Sequence, residues 1–542
     1  MSKLAKYLNQ HIVGNVFDRP AILQSYATDR SILQVLPRLV ALPKCTEDIR
    51  KLVRFSSQLA GRGFSLPITV RGTGRDKTGA AIGDGLVISL EKLDKIEEID
   101  LRGRLVRVQP GITLGRLNAA LGAQGFTLPV DYDPKMTLGG LIANCPTDDI
   151  AHKYGGIYHY IERVEVVLAS GDLVQFAPYG AHAIMTRAAK TDAEGELYRN
   201  VEKILDQYAD TILDRSTRPF DAAGYANITK VRQGRTMNLL PLLFASQGTL
   251  GIITDVILRV EVANRHERRL LAILPEPKIA ERVLKQIANA DARTVKIYDS
   301  RMIDRVAPAG NQPDCFRHAL ETAAEANGSP DFSQRGLLIM ASFDDRRRRA
   351  AHKIQQLVAS FPADLIYLAE NDHNALDFTA LETMMLSYLN DNLVGERTPV
   401  LDDVYIPKFK LAEYWQGLDT ISEILGQDLL VFGSFLTSNY HIRPEFDCSS
   451  MDGRRLVMQF LRLYNNLVKD LGGSLTGGGP EGRVKAIATL GAMPERERAV
   501  YQAIKQAFDP QNILNPEVKL GADLKNTLRK LRTEPQPGVT EI

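Results

Sequence analysis

Cysteine is scarce: Cys45, Cys145, Cys315 and Cys448 stand apart along 542 residues, with no C-x-x-C pair among them. That spacing excludes a zinc ribbon, a cysteine-ligated iron–sulfur cluster and a disulfide framework, and it fits thiols in a reducing, cytoplasmic setting. An excess of one charge is also missing. Lys and Arg number 67 against 65 Asp and Glu, so no basic field argues for nucleic acid or an anionic membrane, and a small-molecule ligand is the expectation. No window approaches the roughly 18 apolar residues of a membrane span, and MSKLAKYLNQHIVGNVFDRP has no apolar stretch ahead of a small-residue cleavage site. Peripheral membrane contact is left open by this reading. The single tryptophan, Trp415, adjoins Tyr414, and the two read as helix packing rather than a stacking platform.

What is present is the composition of a soluble globular protein, 44% hydrophobic and 24% charged, long enough for several domains. Runs rich in Val and Ile, bounded by Gly or Pro, read as strands: LPITVRGTG (66–74), GLVISLEKL (85–93), RLVRVQPG (104–111), VEVVLASGDLVQF (164–176) and TLGIITDVILRVE (249–261). Ser170-Gly171-Asp172 is a hairpin turn signal. TEDIRKLVRFSSQLAG predicts a helix with Thr46 as N-cap and Ile49, Leu52 and Val53 on its core face; TLGRLNAALGAQG predicts another through Leu114, Leu117 and Leu121. After residue 262 the rhythm becomes two strand–helix–strand units. The expected organisation is α+β: a first domain over 1–262, a second over 263–455, a further, mostly helical segment over 456–520 and a polar tail over 521–542.

Four stretches carry candidate chemistry. RGTGRDKTGAAIGDG (71–85) follows a strand, and its glycines with Arg71, Arg75 and Lys77 suit a pyrophosphate, although a glycine-rich hairpin connection fits equally. It is neither a Walker loop nor G-x-G-x-x-G, because Lys77 stands where the third Gly belongs. DYDPKMTLGGLIANCPTDDIAHKYGG (131–156) offers a small-residue run for a flat ligand, and SQGTLGIIT (246–254) a third glycine turn. GGSLTGGGPEGRVK (472–485) spells G-x-G-x-x-G literally, but Pro480 interrupts it. RRRR (346–349) winds around a helix without forming a stripe, and ENDHN (370–374) reads as a loop.

Together, YATDRS (26–31), VRGTGRDKTGAA (70–81), VQPGITLGRLNAALGAQGFTLPVD (108–131), MTLGGLIAN (136–144), KYGG (153–156), QGTLGIITDVILRV (247–260) and FDPQNILNP (508–516) resemble the FAD-binding oxidoreductases of the vanillyl-alcohol oxidase or p-cresol methylhydroxylase type. Within them the chain is similar to the D-lactate, glycolate and D-2-hydroxyglutarate dehydrogenase branch. The resemblance implies FAD held by a two-subdomain FAD-binding domain, covered by an α+β, ferredoxin-like cap. FAD contacts carry over to Arg71, Gly72, Thr73, Gly74, Thr78 and Gly79, to Pro134, Thr137, Gly139, Gly140, Asn144 and Tyr154, and to Gly251, Ile252 and Ile253. With no His in the 71–85 loop, the expected FAD is noncovalent; His152, His159 and Cys145 are the groups that could attach it.

The substrate side departs from the resembled pattern. There a metal is held by an H-A-G-D-G-N-x-H motif and by the acid of G-E-H-G. Here the first reads SFLTSNYH (434–441), with Ser434 for the first His and Asn439 and His441 retained; the second places Gly478 at the acid and Gly479 at the His, with Gly482 and Arg483 matching. One imidazole does not define a metal site. The counterpart of the branch's carboxylate-binding arginine falls at Asn390-Asp391, and that of its lysine at Leu401, ahead of Asp403-Val404-Tyr405-Ile406-Pro407. The expectation is an FAD-dependent oxidoreductase that takes hydride from an alcohol or hydroxy-acid-like substrate without a protein-bound metal. Its candidate catalytic residues are His441, Asn439, Tyr405 and Arg483, with Tyr440 also considered. Electrons pass to an unknown acceptor or partner subunit. The alternatives are an FAD-binding scaffold with a degenerate substrate site and, more weakly, a metal-dependent D-2-hydroxy-acid dehydrogenase.

Overall fold

The computed structural model describes residues 2–532 apart from 219–220, 264–266, 275–276, 307–312, 315–316, 318–320, 322–335, 345–347, 362–365, 370–371, 392–397 and 401. Cys315, Leu401, Glu370 and the tail beyond 532 lie outside the described residues, as do the side chains of Asn390 and Asp391 and those of the RRRR and ENDHN motifs.

Three sheets organise the chain. In the first, Leu39–Leu42, Leu86–Ser89 and Ile68–Arg71 run parallel, and Asn15–Phe17 pairs antiparallel at one edge. Near-continuous apolar sequence is what a parallel strand covered on both faces requires, and all four residues of LVIS at 86–89 are buried. Fully burying Leu86, Val87 and Ile88 contributes about 1.5–3 kcal/mol each. The helix Thr46–Gly61 covers this sheet through Ile49, Leu52 and Val53. It begins one residue earlier than the sequence suggests: Cys45, not Thr46, is the N-cap, and it makes no side-chain capping bond. The C-terminal stretch returns here, because Ile68 N–H donates to Ile513 O and Asn515 N–H to Ile68 O, each at 2.7 Å.

The second sheet is antiparallel, in the order Ile96–Asp100, Leu105–Val108, Ile252–Arg259, Ile161–Val167, Leu173–Phe176. Gly171, at φ +81°, closes the hairpin from Val167 to Leu173. Leu114, Leu117 and Leu121 bury the face of Leu114–Gly122 in the same core, and Thr113 accepts from Arg116 N–H as its N-cap.

The third sheet has seven antiparallel strands in the order Ile366–Ala369, Glu267–Leu274, Leu337–Asp344, Thr294–Asp299, Val431–Ser434, Asn439–Ile442, Asp402–Tyr405. Alternation splits its apolar side chains between two cores. Leu270 and Ala272 pack with Tyr414, Trp415 and Leu418 of the helix Leu411–Leu425, whereas Leu271 and Ile273 pack with Phe378, Leu381 and Met385 of the helix Asp372–Asp391. Tyr414 and Tyr464 share a hydrogen bond at 2.8 Å. The boundary expected at 455/456 cuts the helix Met451–Asp470, whose Val457, Phe460 and Tyr464 belong to the cap core. Among the described residues no helix is long and apolar enough to cross a membrane.

Candidate active site

The glycine loop leaves the parallel strand Ile68–Arg71 and lines a cleft of about 840 Å³ together with the helix Leu138–Asn144 and the turn before Ile252. Arg71, Gly72, Thr73, Gly74, Thr137, Gly139, Gly140, Asn144, Gly251 and Ile253 all face it. Two close approaches demand glycine. A Cβ on Gly72 would stand 2.0 Å from Thr137 Oγ1, and Gly74, at φ +68°, would place one 2.1 Å from an Arg71 guanidinium nitrogen.

The loop is held from behind. Arg71 Nη1 donates to Thr28 O at 2.7 Å, with its guanidinium over the Tyr26 ring. The Asp76 carboxylate accepts from Thr78 N–H at 2.9 Å, Ala80 N–H at 2.7 Å and Asn144 Nδ2 at 3.1 Å. These clamps leave the main-chain N–H groups of Thr73 and Gly74 with no acceptor among the described residues, and Arg71 Nε is buried without a partner. Free amides beside a buried guanidinium suit the pyrophosphate of FAD.

Other expected FAD contacts lie elsewhere. Ile252 alternates away from the cleft into the core of the parallel sheet, fully buried. Gly79 sits beneath the loop, where a Cβ would meet Leu33 at 2.8 Å. Pro134 packs against Gly115. Tyr154 reaches the cap, donating its hydroxyl to Asp344.

A second cavity of about 1220 Å³ adjoins the cleft, and Arg75, Asp76, Met136 and Asn144 line both. Thr78 also faces this second space. Its opposite wall is one face of the cap sheet, and the register explains which side chains arrive there. Tyr298 pairs with Phe432, Phe432 with His441 and His441 with Asp403; one step along, Lys296 pairs with Ser434, Ser434 with Asn439 and Asn439 with Tyr405. Partners across a sheet share a face, so these two rows point together. Tyr298, Phe432, His441, Asp403, Lys296 and Asn439 line the cavity.

His441 stacks on Phe432 with ring centroids 4.9 Å apart, and its Nε2 lies 3.4 Å from Asn439 Nδ2. Its Nδ1 is buried without a partner. Burial, and then the charge of Lys77, lowers its pKa to about 3, so the ring is neutral at neutral pH. Burial alone would raise Asp403, but Lys485 at 2.6 Å, His441 and Lys77 bring it to about 2. Lys485 Nζ also donates to Asp403 O at 2.6 Å and Leu475 O at 2.8 Å. Farther along, Lys296 bridges Asp131 and Glu382 at 2.8 Å each, joining the FAD-binding region to the cap.

The remaining candidate catalytic residues do not line the cavity. Tyr440 points into the cap core, fully buried. Tyr405 lies against Gly477, where a Cβ would come within 2.2 Å of its own Cβ, and Tyr405 and Ser474 exchange main-chain hydrogen bonds at 2.9 and 3.0 Å in an isolated bridge. Arg483 is a brace: its buried guanidinium donates to Gly79 O, to Ile82 O at 2.7 Å and to Pro516 O at 3.0 Å, tying the glycine loop to the returning C-terminal segment. The segment 472–485 is thus a joint among cap, loop and C-terminus. Gly482, at φ +50°, passes so close to Thr78 that a Cβ would stand 2.1 Å from its Oγ1. Gly478 and Gly479 face Asp403 and present no donor of their own. Among the described residues no three His, Cys, Asp or Glu side chains gather as a metal-ligand set.

The sequence groups Lys77 with the pyrophosphate loop, but its side chain lines the second cavity and not the first; Lys485, which holds Asp403, had no functional assignment from sequence. A lysine at the position of an expected glycine was the available signal for Lys77; Lys485 had none.

The chain matches the FAD binding domain over residues 37–177 and the FAD linked oxidases, C-terminal domain over 263–518. It is 25% identical over 526 residues to a D-2-hydroxyglutarate dehydrogenase of Escherichia coli (strain K12), covering 94% of this chain and 50% of that protein. It is 25% identical over 505 residues to a D-lactate dehydrogenase of Archaeoglobus fulgidus, covering 91% and 94%. The chain spans about half the length of the D-2-hydroxyglutarate dehydrogenases it matches. In fold it is similar to 4-ethylphenol oxidase from Gulosibacter chungangensis, with a TM-score of 0.67 at 13% identity, covering 96% and 97% of the two chains.

Proposed function

As the two matched domains make this chain an FAD-linked oxidoreductase, we propose that it oxidises an alcohol or hydroxy-acid-like substrate at a carbon bearing both hydrogen and hydroxyl, without a protein-bound metal. Bound FAD supplies the hydride acceptor, and the two-electron oxidation leaves a carbonyl product. Neutral His441 accepts the hydroxyl proton, and Asn439 beside it fixes the ring. The observation that carries this reading is that the two cavities adjoin, with Arg75, Asp76, Met136 and Asn144 lining both. A ligand seated on the glycine loop can extend into the space that His441 faces.

The FAD is noncovalent. The 71–85 loop has no histidine, His152 Nε2 is engaged with Ala292 O at 3.1 Å, and burial pushes the Cys145 thiol up to about 12, which suppresses the thiolate needed for attachment. Free Cys45, Cys145 and Cys448 support a cytoplasmic setting. The electron acceptor is oxygen, a quinone, another flavoprotein or a partner subunit. A metal-independent site is favoured by Ser434, Gly478 and Gly479 at the three positions where the resembled branch has His, Glu and His.

The test is anaerobic addition of hydroxy acids, alcohols and sugars to the FAD-loaded protein, followed by flavin absorbance. Bleaching by a member of the panel is expected. A flavin that dithionite reduces but no panel member does would favour the second reading, an FAD-binding scaffold, for which the missing side chains at Gly478 and Gly479 are the supporting observation.

A further inference from the structure

The cations lining the inner cavity are not equivalent. Arg30 and Arg75 are paired with Asp133, at 3.7 Å for Arg30 and at 2.6 Å from Arg75 Nε. Lys296 is held by Asp131 and Glu382. Lys77 lines the same cavity from the glycine loop, yet it makes no hydrogen bond or ion pair with any described residue. Asp403, the carboxylate it feels most strongly, is already bound by Lys485.

A partly buried ammonium without a partner is costly, and burial lowers the pKa of Lys77. The cost is offset when a ligand brings a negative group. The position matters too: Lys77 and His441 line the same cavity, and of all charges Lys77 acts most strongly on the imidazole, so an anion held by its ammonium shares that cavity with the ring. Gly479, packed beside Asp403, lines the same cavity and adds no side-chain charge to it.

We propose that Lys77 is a specificity-determining residue that holds the substrate's oxyanion next to the centre presented to His441. The substrate is then a carboxylate with its hydroxyl on a neighbouring carbon, not a neutral alcohol or a sugar. This rests on the oxidoreductase reading above, which it narrows.

The experiment uses FAD-loaded, chelator-treated wild type, K77R and K77M. Oxalate binding is followed by perturbation of the flavin spectrum, and flavin reduction by D-lactate is compared with that by propane-1,2-diol, its neutral counterpart. Oxalate affinity is expected to fall about 10- to 100-fold in K77M, as for loss of one charged hydrogen bond, and to be largely kept in K77R. The wild type should prefer D-lactate over the diol, with K77M losing that preference mainly through weaker binding. Equal oxalate affinity in wild type and K77M, or wild-type preference for the diol, would overturn the proposal. If dithionite alone reduces the flavin, the oxidation falls, but Lys77-dependent oxalate binding would still support the anion site. K77M without FAD would leave the decision to wild-type discrimination between the two substrates.

Discussion

Asp403 and His441 stand opposite each other across the strands Asp402–Tyr405 and Asn439–Ile442, and Lys485 holds the Asp403 carboxylate at 2.6 Å. The pairing keeps the acid ionised while burial keeps the imidazole neutral. A pKa of about 3 makes this imidazole a weak base, so proton acceptance by it depends on a negative charge brought into the cavity beside it.

Replacing that base tests its role directly. H441Q should retain FAD and lower the rate of flavin reduction about 100- to 10,000-fold, the range for loss of general base catalysis. Stopped-flow absorbance under anaerobic conditions measures it.

The low pKa of His441 also links stability to pH. Its folded value of about 3 lies below its ordinary 6.5, so between these values the unfolded chain binds a proton that the folded chain does not. Stability from this group therefore rises with pH from about 3 to 6.5, by at most about 1.4 kcal/mol per pH unit, and is level above. Acidification from pH 7 to pH 5 should lower the Tm of wild type more than that of H441Q. A difference of opposite sign would contradict the buried neutral imidazole.

Much of the FAD-binding region was legible because its signals are local. The loop at 71–79 follows a recognisable strand, and the helix at 114–122 repeats a leucine face. Strand alternation turns the Ile252 side chain into the core of the parallel sheet, whereas Gly251 and Ile253 face the cleft. The cap-side site was harder. The rows that bring Lys296, Asn439, Asp403 and His441 together depend on register among strands more than 100 residues apart in some cases, and spacing along the chain does not encode register. Arg483 is a candidate catalytic residue from its match to the resembled motif; its carbonyl partners at 79, 82 and 516 come from distant segments, which the motif does not encode.

The joint beneath the site has its own stability test. Glu481 and Lys519 form a fully buried ion pair at 2.7 Å, and Glu481 also accepts from Gly224 N–H at 2.9 Å. K519M leaves an uncompensated buried carboxylate and should cost about 3–5 kcal/mol, whereas E481M/K519M should cost less than K519M alone. Urea unfolding of the three proteins checks the order.

Gly478 packs directly against Asn439 and Asp403. A Cβ there would stand 2.1 Å from Asn439 Oδ1 and 2.9 Å from Asp403 Oδ2. G478A should therefore slow flavin reduction, and G478A/N439A should relieve the clash without regaining full rate, because Asn439 no longer steadies His441. Rates for the two variants and N439A separate the effects.

The most direct measurement is anaerobic reduction of the flavin by D-lactate, D-2-hydroxyglutarate and related hydroxy acids in protein stripped of divalent metal and kept in excess chelator. The metal-independent account predicts that at least one compound bleaches the flavin at the same rate with and without chelator. Bleaching that chelator abolishes and added divalent metal restores would contradict it.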